Sequence, residues 1–132
     1  MISAYTNILA RAFLEDDPVQ SKEAQEFLEK AAKVGELFIS SYAILEFVWV
    51  LKVKKFSRED IYSAVITLCD STGITIGSRQ VVLLALEKYQ TGKADFGDYM
   101  IMAEGEDNKT LKIKTFDIIL REELKTSLEE LS

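Results

Sequence analysis

The sequence predicts an α/β layer fold with a mostly parallel sheet, and three observations support this prediction. Short apolar runs that suit buried strands alternate with longer segments of helical periodicity. The chain has 132 residues, of which 48% are hydrophobic, and it contains only 6 glycines and 1 proline. This length and composition indicate a single globular domain over residues 1–132 and exclude a disordered or collagen-like chain.

Spacing and capping residues predict the first strand and the first two helices. Residues 2–5 are expected to form a short strand. A helix follows directly, because apolar side chains recur there at helical spacing: Ile8, Leu9, Ala12 and Phe13. Asp17 is the predicted cap of a second helix, Pro18 occupies its first position, and Gly35 ends it.

The middle of the chain contains a second strand followed by two helices. Residues 37–39 form a compact apolar run, which is typical of a buried parallel strand. Ser40 or Ser41 is the predicted cap of a helix over residues 42–53, and Ser57 is the predicted cap of the next helix. Each strand is therefore followed by helical sequence, as a parallel sheet requires.

The last part of the chain repeats this alternation. Residues 74–76 are bracketed by glycines and predict a third strand, after which Ser78 is expected to cap a helix. Asp95 is expected to start a further helix that runs through Ala103. Residues 111–115 predict a fourth strand, because apolar and lysine side chains alternate there.

Charge and residue types narrow the possible chemistry. The chain carries 16 basic and 22 acidic residues, a net charge of −6, which argues against a simple basic nucleic-acid coat. Histidine is absent, so Ser-His-Asp catalysis and histidine-ligated zinc are excluded. The single cysteine, Cys69, suits a core position in a reducing compartment. Because no apolar stretch is long enough to span a bilayer, we expect a cytoplasmic protein that does not contact membranes.

Three acids occupy positions where a parallel α/β sheet places functional groups. Glu46 lies in an otherwise apolar helix, Asp98 lies near a helix start, and Asp117 lies just past the end of the fourth predicted strand. Simpler explanations remain open: a solvated helix edge for Glu46, helix capping for Asp98 together with Asp95, and a turn for Asp117. Clustered carboxylates suit a hard cation such as Mg²⁺ or Mn²⁺, and metal-dependent phosphodiester hydrolysis is the reaction class that best fits them.

Four blocks of the sequence resemble the motifs of the PIN domain family. The blocks follow one another in the family's order and include the three acids: residues 5–20, 39–51, 95–101 and 115–120. The chain is similar to the small VapC-type toxins of bacterial and archaeal toxin–antitoxin pairs. This resemblance implies a three-layer α/β/α sandwich whose central, mostly parallel sheet has about four to five strands.

The resemblance also implies a function. It implies a ribonuclease that depends on Mg²⁺ or Mn²⁺, cleaves RNA endonucleolytically, forms a homodimer and is blocked by a small cognate antitoxin. The implied catalytic residues and metal ligands are Glu46, Asp98 and Asp117, with Asp95 as a further metal ligand. The implied supporting polar residues are Thr6, Asn7, Ser40 and Thr115.

The chain departs from the family at Tyr5, because the first family motif begins with an aspartate at that position. A phenol has a pKa of about 10 and is therefore neutral in the cell, and it is a poor ligand for Mg²⁺. Tyr5 belongs either to a naturally silenced member or to a chain altered during cloning, where an active toxin is selected against. The alternative function is accordingly a catalytically silent PIN-like module that dimerises and binds antitoxin or RNA.

Overall fold

The computed structural model of the chain describes residues 1–108 and 118–131. The predicted strand at 111–115 therefore lies outside the described residues, as do Thr115 and Asp117. The chain consists of two compact units, Met1–Arg79 and Gln80–Ser132.

The first unit is described throughout and contains a parallel sheet with helices between its strands. Its elements are β1 (Ile2–Ser3), α1 (Thr6–Leu14), α2 (Pro18–Lys33), β2 (Leu37–Ile39), α3 (Ser41–Val53), α4 (Arg58–Asp70) and β3 (Ile74–Ile76). The strand order is β1-β2-β3, and both pairs are parallel. Phe38 of β2 is paired with Ser3 on one side and with Thr75 on the other, so β2 is the central strand.

The capping predictions for the first unit are confirmed at three helices. Each capping side chain accepts a hydrogen bond from a backbone N–H in the first turn: Asp17 from Gln20, Ser40 from Tyr42, and Ser57 from Asp60. Pro18 is the first residue of α2, as predicted, and Gly35 follows the end of that helix with a φ of 70°. These local interactions fix the helix starts that the sequence indicates.

The strand predicted over residues 2–5 is shorter in the structure, where β1 ends at Ser3. The backbone N–H of Ala4 still donates to the carbonyl oxygen of Phe38 at 3.0 Å. The carbonyl oxygen of Tyr5, in contrast, accepts from the N–H groups of Ile8 and Leu9. Tyr5 therefore belongs to the start of α1, because its carbonyl is already committed to the helix.

The core of the first unit surrounds β2. Leu37 and Ile39 are completely buried, and the central part of α3 packs with its apolar side chains inward. Phe47 is buried on α3, whereas Trp49 is 64% exposed. Cys69 is buried as predicted, and its burial raises the pKa of the thiol above the ordinary value.

The described residues of the second unit form helices: α5 (Arg79–Thr91, which begins at the unit boundary), α6 (Phe96–Asp107) and α7 (Ile118–Leu131). Helix α6 extends to Asp107, beyond the predicted end at Ala103. The predicted cap Ser78 directly precedes α5, but its φ of 49° is left-handed, whereas an N-cap residue has extended backbone.

The fold prediction is correct for the α/β class and the parallel sheet. The described part of the chain is mostly helical and has three strands, compared with the four to five expected. Among the described helices, none is long and apolar enough to cross a membrane.

Gly73 and Gly35 offer a matched test of the packing in the first unit. Gly73 has a φ of 85°, and a Cβ atom there would collide with the backbone carbonyl of Ala32. Gly35 has a φ of 70°, but a Cβ atom there would point into open space. We expect Gly73→Ala to lower the free energy of unfolding by about 2–4 kcal/mol and Gly35→Ala by about 1 kcal/mol. Urea denaturation measures both values, and equal losses would contradict the close approach at Gly73.

Candidate functional site

The first unit has a cleft at the carboxyl ends of β1 and β2. Helices α1 and α3 begin directly after these neighbouring parallel strands, so both helix starts lie at the same edge of the sheet. The cleft has a volume of about 690 Å³. Its lining includes Tyr5, where the chain departs from the motif it resembles, and four of the residues predicted from the sequence: Thr6, Asn7, Ser40 and Glu46.

Glu46 is held in this cleft by a hydrogen bond from the neighbouring helix. The hydroxyl of Thr6 donates to Oε2 of Glu46 at 2.8 Å, and it also lies 3.4 Å from the carbonyl oxygen of Ala43. Glu46 is exposed, while the adjacent Phe47 is buried. A solvated helix edge therefore explains how an acid is tolerated in this apolar helix, and Thr6 orients the carboxylate on that edge.

Tyr5 occupies the N-cap position of α1 with extended backbone. Its side chain lines the cleft and is 73% exposed. Within the described chain, this side chain makes no capping hydrogen bond. An aspartate at the same position would both cap α1 and add a negative charge to the cleft, whereas the phenol does neither.

The charged side chains that line the cleft balance one another. Two are basic and two are acidic: Arg11, Lys54, Asp16 and Glu46. Nη1 of Arg11 lies 3.2 Å from Oδ1 of Asp16, and both side chains are substantially exposed. The cleft in the first unit is therefore formally neutral, and an aspartate at position 5 would make it acidic.

The second unit carries Asp95 and Asp98 at the start of α6. Asp95 is the N-cap residue, as predicted, and its carbonyl oxygen accepts from the N–H groups of Asp98 and Tyr99. Within the described residues, however, the Asp95 side chain makes no capping hydrogen bond. Capping thus accounts for the backbone of Asp95 but not for its carboxylate. Asp98 is half-buried in the first turn, where the helix dipole favours an acid.

A polar network in the second unit fastens the segment before α6 to α7. Oε1 of Glu123 accepts from the backbone N–H of Lys93 at 2.8 Å, and Oε2 accepts from the hydroxyl of Tyr99 at 2.6 Å. The Tyr99 hydroxyl in turn accepts from the backbone N–H of Ala94 at 3.0 Å. Tyr99 and Ala94 are buried, so the bonds of the Tyr99 hydroxyl satisfy polar groups that are removed from water.

This network adds two residues that the sequence analysis does not single out, Tyr99 and Glu123. Gly92 contributes as well, because a Cβ atom there would collide with the Tyr99 hydroxyl. Sequence analysis missed Tyr99 and Glu123 because they are 24 positions apart and no local pattern links them.

The oxygen atoms of the predicted ligands are of the type that binds a divalent ion, but the described residues do not include all of these ligands. Carboxylate, hydroxyl and amide oxygens are the ligands that Mg²⁺ prefers. Within residues 1–108 and 118–131, no group of three or more Cys, Asp or Glu side chains is placed to hold a metal ion. The structure groups the predicted residues of the cleft in the first unit and Asp95 with Asp98 in the second, and Asp117 lies outside the described residues.

These features define an α/β protein with a cleft at the carboxyl ends of parallel strands. The model of the PIN domain family matches residues 6–122, which is most of the chain. The chain therefore belongs to the PIN domain family, whose members are generally metal-dependent nucleases. Searches among curated proteins and among solved structures found no significant match.

The network around Tyr99 predicts a local effect on the segment before α6. We expect Tyr99→Phe to lower the free energy of unfolding by about 1–3 kcal/mol, because the Ala94 N–H loses its acceptor. Glu123→Ala should increase hydrogen exchange at the amides of Lys93 and Ala94. The double variant should lose less than the sum of the single losses, because both residues serve one network.

The exposed Glu87 on α5 provides the control for this experiment. Glu87→Gln should leave both the exchange rates and the free energy of unfolding unchanged. If Tyr99→Phe leaves exchange at the Ala94 amide unaltered, the network does not fasten this segment.

Proposed function

We propose that this chain is a ribonuclease toxin of the VapC type, that it acts as a single domain over residues 1–132, and that its cleavage of RNA requires Mg²⁺ or Mn²⁺. Membership of the PIN domain family supports a metal-dependent nuclease. The single observation that carries the proposal is the 2.8 Å hydrogen bond from Thr6 to Glu46. It holds an acid, at a position that matches a family motif, at the edge of the sheet where parallel α/β folds place their sites.

The proposed residue roles follow the family motifs. The acids proposed to bind the ion and to act in catalysis are Glu46, Asp98 and Asp117, with Asp95 as a further ligand. Thr6 is proposed to orient Glu46, which its hydrogen bond supports. The remaining proposed supporting residues are Asn7, Ser40 and Thr115. Of these, Asn7 and Ser40 line the same cleft as Glu46.

The proposed partners are an RNA substrate, a second copy of the chain and a cognate antitoxin. The similarity of the sequence blocks to VapC-type toxins supports all three. An antitoxin that blocks the site would contact the cleft of the first unit, which opens to solvent beside the exposed Tyr5.

A second candidate function is a catalytically silent PIN module that dimerises and binds antitoxin or RNA. Tyr5 favours it, because a neutral phenol stands at the position of a family acid and leaves the cleft without a net charge. The two candidates differ in one measurable property, the response to a restored carboxylate at position 5.

Tyr5→Asp is the test of the ribonuclease proposal, with Tyr5→Phe as the matched control. We expect Tyr5→Asp to cleave RNA in the presence of Mg²⁺ or Mn²⁺ more than about 100-fold faster than the unaltered chain. Loss of a residue that only supports a metal ligand already lowers activity by about 10–100-fold, and restoring a ligand itself should change activity by more. Its melting temperature should rise on addition of Mn²⁺, because an ion that binds only the folded state stabilises it. Tyr5→Phe should show neither gain.

Glu46→Gln provides the second half of this test. When it is combined with Tyr5→Asp in a double variant, it should abolish both the cleavage and the Mn²⁺-dependent rise in melting temperature. If Tyr5→Asp neither binds Mn²⁺ nor cleaves RNA, the ribonuclease proposal is wrong and the silent module remains.

A further inference from the structure

The cleft of the first unit presents two exposed aromatic rings. Tyr5 is 73% exposed and Tyr42 is 77% exposed. Tyr5 precedes α1 and Tyr42 lies in the first turn of α3, so both follow strands that are neighbours in the sheet. Single exposed aromatic residues are ordinary. Two tyrosines that line one cleft of about 690 Å³, a volume typical of ligand sites, require an explanation.

We propose that this cleft binds single-stranded RNA without a divalent ion, by stacking bases on Tyr5 and Tyr42. The inference rests on RNA as the ligand class of the proposed function and deepens it. Every base has a π face, so stacking on tyrosine is tolerant of sequence and needs no metal. Tyr5 then contributes to binding itself, because its ring provides a stacking surface where a metal ligand is absent.

The charges in the cleft suit an approaching polyanion. Arg11 and Lys54 line the cleft and provide cations for phosphate groups. Arg11 is paired with Asp16 at 3.2 Å, but this ion pair is exposed and therefore weak, so a phosphate can replace Asp16 as its partner. With Tyr5 in place of an acid, the cleft does not repel phosphates as an acidic metal site without its ion would.

Glu46 adds a preference among the bases. A carboxylate accepts several hydrogen bonds, so Glu46 can accept from the amino group of a base in addition to the hydroxyl of Thr6. Adenine and cytosine carry such an amino group and uracil does not. We therefore expect oligo(A) and oligo(C) to bind more tightly than oligo(U).

Fluorescence anisotropy of a labelled RNA oligonucleotide in EDTA tests the proposal directly. The unaltered chain should bind. Tyr5→Ala and Tyr42→Ala should each raise Kd about tenfold or more, since each loses a base stack, whereas Tyr5→Phe should retain binding. Trp49→Ala is the matched control, because Trp49 is 64% exposed on the same helix as Tyr42 but outside the cleft, and its Kd should be unchanged.

A second measurement does not depend on the folding of any variant. When the oligonucleotide is added in EDTA, the ring protons of Tyr5 and Tyr42 should shift upfield in NMR spectra, because a stacked base shields them. The ring of Tyr62 on α4 serves as the internal reference.

Arg11→Gln tests the contribution of the cleft's cations. It should raise the Kd for RNA and reduce the salt dependence of this Kd by the equivalent of about one phosphate contact.

Failure of this inference is distinct from failure of the ribonuclease proposal. If the unaltered chain does not bind RNA in EDTA, or if both alanine variants bind as tightly as it does, stacking is wrong even when Tyr5→Asp cleaves RNA. If the unaltered chain binds in EDTA through both tyrosines while Tyr5→Asp is inactive, the stacking site stands and the ribonuclease proposal falls.

Discussion

The parallel pairing of β1 with β2 is the constraint on which the cleft depends. Because Ser3 is paired with Phe38, the two strands end at the same edge of the sheet, and α1 and α3 begin there side by side. Only this register brings Thr6 to Glu46 across 40 positions of sequence. A shift of the pairing by one residue would turn the side chains of the strand to the opposite face and remove the packing that supports both helix starts.

In the second unit, the start of α6, which carries Asp95 and Asp98, is held by side-chain hydrogen bonds. Among the described residues, the backbone before α6 is bonded to the Glu123 carboxylate and to the buried Tyr99 hydroxyl. Such a network is stabilising only when all of its members are satisfied, since an unpaired buried polar group is costly. The segment that leads into Asp95 and Asp98 is bonded to Glu123 of α7, a residue that lies just beyond the family match over residues 6–122.

Tyr5 determines which chemistry the cleft of the first unit can support. An acid at this position would place a second carboxylate in the cleft beside Glu46. Clustered carboxylates are tolerated only when a cation or another partner compensates their charge. The phenol removes that requirement and leaves a neutral, aromatic cleft. The net charge of −6 is therefore a poor guide to the local electrostatics, because the cleft balances two acids with two bases.

The sequence by itself determined the α/β class, the strands β2 and β3, three helix caps and the motif blocks of the family, because periodicity, capping and short motifs act over a few neighbouring residues. The resemblance to the family also grouped Thr6, Asn7 and Ser40 with Glu46, and these four residues line one cleft. Only the tertiary structure decided that Tyr5 leaves the strand for α1, that the cleft is neutral, and that Glu123 is bonded to Tyr99. Tyr5 belongs to α1 because its carbonyl oxygen accepts from Ile8 and Leu9. The charge of the cleft and the bond between Glu123 and Tyr99 depend on side chains that the fold brings together from distant parts of the chain, which no local sequence pattern shows.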